Sequence, residues 1–201
     1  MKNKKVVYST KWITYTAILT ALVAATGYIP AITTPIGRIY WVDGMVLIAA
    51  YLTDPLSAFI AGGLGSLIYD IFASPAMMIP SLLIHGLQGA TVSALLHFVL
   101  PSFFKKTEWI KALICSLAGA LIVVLGYFIY RTVTSGAEYA FTQIPRNVLQ
   151  EAIGISAAMV LCYVTTLKKR LANARLLPDF KNEMLQNSAA EPEKSANRAE
   201  F

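Results

Sequence analysis

The stretch Trp41–Gly89, WVDGMVLIAAYLTDPLSAFIAGGLGSLIYDIFASPAMMIPSLLIHGLQG, decides the fold class. Most of it is apolar enough for lipid, yet Asp43, Asp70, His85 and Gln88 stand at or within its apolar runs. A polar group in hydrocarbon is costly unless it has a partner, so such residues face a protein interior or a water-filled cavity. The block therefore predicts a membrane protein with a polar pocket, and the pocket is where function is expected.

The rest of the chain agrees. Hydrophobic residues make up 56% and charged residues 14% of the 201 residues, against about 25% charged in a soluble domain. Cys115 and Cys162 both fall in apolar runs, so they form neither a disulfide framework nor a metal-ligand cluster. Six apolar segments follow one another: about Trp12–Ile29, Val42–Leu52, Leu56–Phe72, Ser81–Leu100, Ile110–Tyr130 and Arg146–Leu167. A spanning helix needs roughly 20 residues, so the short second segment is expected to be partly embedded or shielded by its neighbours. Pro30, Pro35, Pro55, Pro80, Pro101 and Pro145 sit at or near segment ends, where a missing N–H matters least. The expected fold is all-α: a polytopic membrane protein of six transmembrane helices over residues 1–170, followed by a polar, disordered tail over 171–201.

Basic residues set the orientation. With the N-terminus in the cytoplasm, 14 of the 17 Lys and Arg lie inside, and only Arg38, Arg131 and Arg146 lie outside. The positive-inside rule thus puts both termini in the cytoplasm. The net charge of +6 is a topology signal rather than a nucleic-acid surface, because no basic stripe is interleaved with aromatics. Lysines before an apolar run that ends in small residues resemble a secretory signal. The run is long, however, and its removal would put the basic C-terminus outside, so it reads as a retained helix.

Several patterns carry chemistry or packing. Ala17, Ala21 and Ala25 recur every fourth residue, a flat strip that serves either internal packing or the docking of a partner subunit. Gly62, Gly63 and Gly65 within the third segment point to close helix packing, since no phosphate-loop context surrounds them. Ser81, His85 and Gln88 share one face of the fourth helix, and Asn147, Gln150, Glu151 and Gly154 share one face of the sixth. Both helices begin on the outer side, so these side chains reach roughly 10 Å into the membrane at 1.5 Å per residue. Tyr127, Tyr130 and Arg131 end the fifth helix there, and Tyr69 and Asp70 end the third. Taken singly, His85 fits an interhelical hydrogen bond, Glu151 a pairing with Arg131 or Arg146, Asp43 a cap of the second helix, and Asp70 a solvated helix end. Taken together, their shared depth and side predict a small-molecule pocket. The linker AITTPIGRIYW (31–41) has an apolar side and turn residues, and Arg38, Tyr40 and Trp41 on it are candidates for a lid over that pocket. There is no Walker motif, no HExxH and no nucleophile elbow, so no enzyme, cofactor or metal chemistry is read from this chain.

In the Ala17/Ala21/Ala25 strip, the block Gly37–Phe72, the run SLLIHGLQG and the run IPRNVLQEAIG, the chain resembles the substrate-binding membrane subunit (S component) of energy-coupling-factor (ECF) vitamin transporters. It is most similar to the branch for hydroxymethylpyrimidine, pyridoxine, pantothenate and riboflavin. The resemblance implies a six-helix protein of the bacterial cytoplasmic membrane that binds a vitamin at its outer face. It also implies partnership with a membrane coupling (T) subunit and two cytoplasmic ATPases, with the alanine strip as the docking surface. His85, Gln88, Tyr127, Arg131, Asn147, Gln150 and Glu151 are the expected substrate-binding residues. A carboxylate beside amides suits an aminopyrimidine or a pyridine, whereas the outer arginines suit an anion such as pantothenate. A self-contained proton-coupled transporter, with Glu151 or His85 as proton carrier, is the competing expectation.

Overall fold

The computed structural model of the chain describes residues 10–99 and 108–165. The polar tail and most of the basic residues that set the orientation lie outside these. Helix α1 (Thr10–Gly27) leads into a hairpin of β1 (Ile32–Thr34) and β2 (Gly37–Ile39). Then come α2 (Val42–Leu52), α3 (Pro55–Ala73), a 3-10 turn at Pro75–Met77 and α4 (Met78–Ala94), which ends in a wider turn at Leu95–Val99. Helix α5 (Glu108–Ser135) and α6 (Ala137–Met159) complete the bundle, and α6 is prolonged by a wider turn at Val160–Val164. α3 packs most extensively on α4, and α1 on α3, α5 on α6, α4 on α5 and α2 on α6 follow.

Four stretches are long and apolar enough to cross a membrane: Pro55–Ala73, Pro75–Val99, Glu108–Ser135 and Ala137–Val164. Their outward faces carry apolar side chains in helical register, as with the exposed Leu117, Leu121, Leu125 and Ile129 on α5. Such a belt meets lipid, not water. α1, with 18 residues, is less apolar, and α2 has only 11. At 1.5 Å per residue α2 spans about 16 Å, half of a hydrocarbon core. It resolves its short length by occupying the centre: Val46, Leu47, Ala49, Ala50 and Tyr51 are fully buried. The expected shielding of the second segment is what the bundle provides.

An apolar cluster of Leu47, Tyr51, Val92, Leu96, Cys115, Ala158 and Cys162 fills the inner half. Its polar atoms are matched: Tyr51 Oη and Ser116 Oγ lie 2.5 Å apart, and Ser93 Oγ donates to Thr53 O at 2.5 Å. Both cysteines are buried free thiols. At the same end Asp54 caps α3 by accepting from the Leu56 and Ser57 N–H groups, and Trp12 Nε1 donates to it at 2.6 Å.

The glycines close the α3–α4 contact. A Cβ on Gly62 would stand 2.7 Å from His85 O, and one on Gly89 2.6 Å from Ala58 O. Both obstacles are backbone, which cannot rotate away. Gly62→Val is therefore expected to force the helices apart at a cost of about 2 kcal/mol or more. Thermal unfolding in detergent checks this; a melting temperature equal to that of the wild type would overturn it.

The linker 31–41, with its turn residues, holds a short antiparallel hairpin in which Gly37 takes φ 127°. Two expectations are corrected. The loop expected between Tyr130 and Arg146 is absent: α5 runs on to Ser135, and Gly136 at φ 90° is the single break before α6. Pro145 therefore sits inside α6, not at its boundary. These polar helical turns stand beyond the apolar span and brace each other, with the Phe128 and Phe141 rings 5.0 Å apart and Arg131 5.8 Å from the Tyr139 ring.

Candidate functional site

A cavity of about 150 Å³ lies at the outer end of the bundle. α2 contributes Val42, α3 contributes Ser66, Tyr69 and Asp70, and α4 contributes Ser81 and His85. α5 adds Tyr127 and Arg131, α6 adds Gln143, Arg146, Asn147 and Gln150, and Tyr40 reaches in from the hairpin. The start of α2, α4 and α6 and the end of α3 and α5 thus meet at one place, because short connections make the helices alternate in direction.

Beneath the cavity lies a hydrogen-bonded floor. Gln88 Nε2 donates to both Glu151 oxygens, at 3.2 and 3.0 Å, which turns its Oε1 toward His85 Nδ1 at 3.1 Å. Asp43 Oδ1 stands 3.3 Å from the same nitrogen and takes no hydrogen bond from the described residues. Two acceptors facing Nδ1 assign its proton there. His85 Nε2 faces Tyr127 Oη at 3.0 Å, and Tyr127 Oη faces Ser81 Oγ at 2.9 Å. With neutral His85, Tyr127 donates to Nε2; a proton added at Nε2 reverses the direction of the chain through Tyr127 to Ser81. Asp70 stands beside Ser81 at its far end. A second chain starts at Asp43 Oδ2, which accepts from Gln150 Nε2 at 2.6 Å. Gln150 Oε1 in turn accepts from the Tyr40 N–H at 3.1 Å, tying the hairpin to the floor.

The sequence-predicted residues divide accordingly. His85, Tyr127, Arg131, Asn147 and Gln150 line the cavity. Gln88 and Glu151 are buried behind its wall and hold His85 and each other. Glu151 pairs with Gln88 and faces the Asp43 carboxyl, not Arg131 or Arg146. Asp43 makes no cap bond: it is fully buried and joins α2, α4 and α6. Asp70 is likewise buried at the cavity rather than solvated. Of the lid residues only Tyr40 lines the cavity. Arg38 is exposed and offers its carbonyl to Arg146 Nη1 at 3.4 Å, and Trp41 donates to Pro30 O at 3.3 Å. Tyr130 reaches Ala76 O at 2.9 Å instead of the cavity. The alanine strip faces away from all of this: Ala17, Ala21 and Ala25 are exposed, whereas Thr16, Leu19, Val23, Ala24 and Gly27 are the buried side of α1.

Residues 7–169 match the family model described as "ECF-type riboflavin transporter, S component". The chain belongs to this S component family. It is also 29% identical over 137 residues to a Pyrococcus woesei protein described as "Uncharacterized protein in gap 3'region", covering 67% of this chain and 85% of that one. S components are substrate-binding subunits of transporters, not enzymes, and the match runs through every helix that builds the cavity. Membership and the four long apolar stretches together make this S component a multi-pass membrane protein.

Sequence reasoning placed Asp70 in the outer polar group, as the cavity lining bears out, but passed over Ser66 and Gln143 as wall residues. Ser66 carried a signal, because it lies one helical turn before Asp70 and shares its face.

Proposed function

We propose that this chain is the substrate-binding S component for import of a small, single-ring, water-soluble vitamin or precursor. A ring of the hydroxymethylpyrimidine or pyridoxine type fits best, acyclic pantothenate is the close alternative to a ring, and riboflavin is the ligand the family description names. The observation that carries this reading is the cavity: about 150 Å³, walled by Tyr40, Tyr69 and Tyr127 and by converging polar groups. A volume near 150 Å³ is that of a cavity able to hold one benzene-sized ring. A tricyclic flavin would need the hairpin to lift. The hairpin serves as the lid through Tyr40, and the inner apolar cluster closes the path toward the cytoplasm. Release inward then requires the membrane coupling subunit, which docks on the exposed alanine strip in the cytoplasmic membrane of a bacterium, and two cytoplasmic ATPases that power it.

Titration of the purified chain against hydroxymethylpyrimidine, pyridoxine, pantothenate and riboflavin tests the substrate. The expected result is saturable binding of a single-ring member and weaker binding of riboflavin; tighter binding of riboflavin would overturn the single-ring reading. A second reading, a self-contained proton-coupled transporter, draws on the buried group of His85, Asp43 and Glu151. It requires uptake into vesicles that contain this chain alone under a pH gradient, whereas the S component reading requires none. Co-purification with ATPase subunits separates the two.

A further inference from the structure

We propose that the ligand carries an anionic oxygen group, held at the cavity mouth by Arg131 and Arg146, with its ring beneath. This rests on the single-ring reading above and adds the charge class of the substrate.

Both arginines line the cavity. Among the described residues the one contact between a carboxylate and a basic side chain is His85 with Asp43, so neither arginine meets a carboxylate. Arg131 lies 5.8 Å from the ring centres of Tyr130 and Tyr139, which orient it without neutralising it. Arg146 spends its fork on neutral acceptors: Nη1 on Arg38 O at 3.4 Å and Nη2 on Asn147 Oδ1 at 3.0 Å. Its Nε is buried and takes part in no hydrogen bond among the described residues. Asn147 is itself buried, and because it spends Oδ1 on Arg146 it leaves Nδ2 as a donor for the cavity. Two guanidinium groups and an amide N–H on adjoining helices form a set of donors with no acceptor of opposite charge. Such a fork matches carboxylate or phosphate geometry. Charge left unpaired near a membrane is costly, and an anion removes that cost.

The facing wall has the opposite character. Asp70 is buried there, and the buried Ser66 hydroxyl makes no hydrogen bond among the described residues. These groups suit hydroxyl or amine substituents of a ring. The cavity thus has a donor side on α5 and α6 and an acceptor side on α3 and α4, and a ring with an acid group at one edge satisfies both.

The test titrates the full-length chain in neutral detergent with three probes that share one ring: pyridoxine, 4-pyridoxic acid and pyridoxine 5′-phosphate. An anionic member is expected to bind at least about tenfold more tightly than pyridoxine. Arg131→Gln with Arg146→Gln is expected to remove that advantage, so that within the variant the anionic probes bind no more tightly than pyridoxine. Which anion wins separates carboxylate from phosphate. Equal affinities in the wild type, or equal losses for all three in the variant, would overturn the proposal. Pantothenate and riboflavin complete the series. Pantothenate binding that is lost in the variant, with no ring probe bound, keeps the anion site and overturns the single-ring reading. Riboflavin binding that ignores the variant, or no binding of any probe, overturns both. Repetition in nanodiscs of neutral and of anionic lipid addresses the other source of phosphate: an advantage erased by anionic lipid assigns the arginines to headgroups and ends the proposal.

Discussion

Replacing Ala17 and Ala21 together by tryptophan is expected to abolish vitamin uptake in cells that also make the coupling subunit and ATPases, while the purified chain keeps its ligand affinity. The reason lies in which side of α1 does the packing. Thr16 Oγ1 and Ser57 Oγ lie 2.8 Å apart, and Val23 presses on Gly65, so the buried side of α1 is fixed to α3. Ala17, Ala21 and Ala25 are exposed on the other side. Small residues there let another helix approach closely, and association of helices in lipid depends on that close packing. Two indoles on the strip hold a partner helix off without touching the interior, so the melting temperature of the purified chain is expected to stay at the wild-type value. Normal uptake would defeat the docking assignment. Lost uptake accompanied by lost binding or a lowered melting temperature would defeat it too, since the strip would then be structural.

The strip also shows how far the sequence can be read. Its period is plain, but period alone does not tell an internal face from an external one in a protein whose two surroundings, lipid and helix, are equally apolar. The faces Ser81–His85–Gln88 and Asn147–Gln150–Glu151 were legible because a polar group has only one tolerable direction in lipid, and the structure buries all six. Depth behind the wall was not legible. Gln88 and Glu151 reach each other across two helices, and that pairing follows from interhelical distance. Tyr40 and Trp41 are adjacent aromatics of similar kind; only the register of the hairpin puts the first over the cavity and the second against Pro30. The polar run after Tyr130 looked like a loop because composition does not separate a loop from a helix that projects beyond the membrane. Gly136, with its positive φ, was the residue in that run that marked the true break.

The second large effect is expected at Asp43, whose place at the second position of a short helix reads equally as a cap or as a core group. Central burial of α2 decides between them, and that burial is a property of the whole bundle. Asp43→Ala removes the acceptor of Gln150 Nε2 and the carboxylate 3.3 Å from His85 Nδ1 in one step. Leaving a buried donor without its acceptor costs about 1–3 kcal/mol. Gln150 then loses the bond that orients its Oε1 toward the Tyr40 N–H, so the hairpin loosens with the floor. Two measurements are expected to move together: the melting temperature in detergent falls, and amide exchange at Tyr40 accelerates. Asp43→Asn separates the two roles, because its side-chain oxygen still accepts from Gln150 while the negative charge is gone. It is expected to keep the Tyr40 amide protected and to recover part of the lost stability. An alanine variant that melts like the wild type with Tyr40 still protected would show that Asp43 holds neither the floor nor the lid.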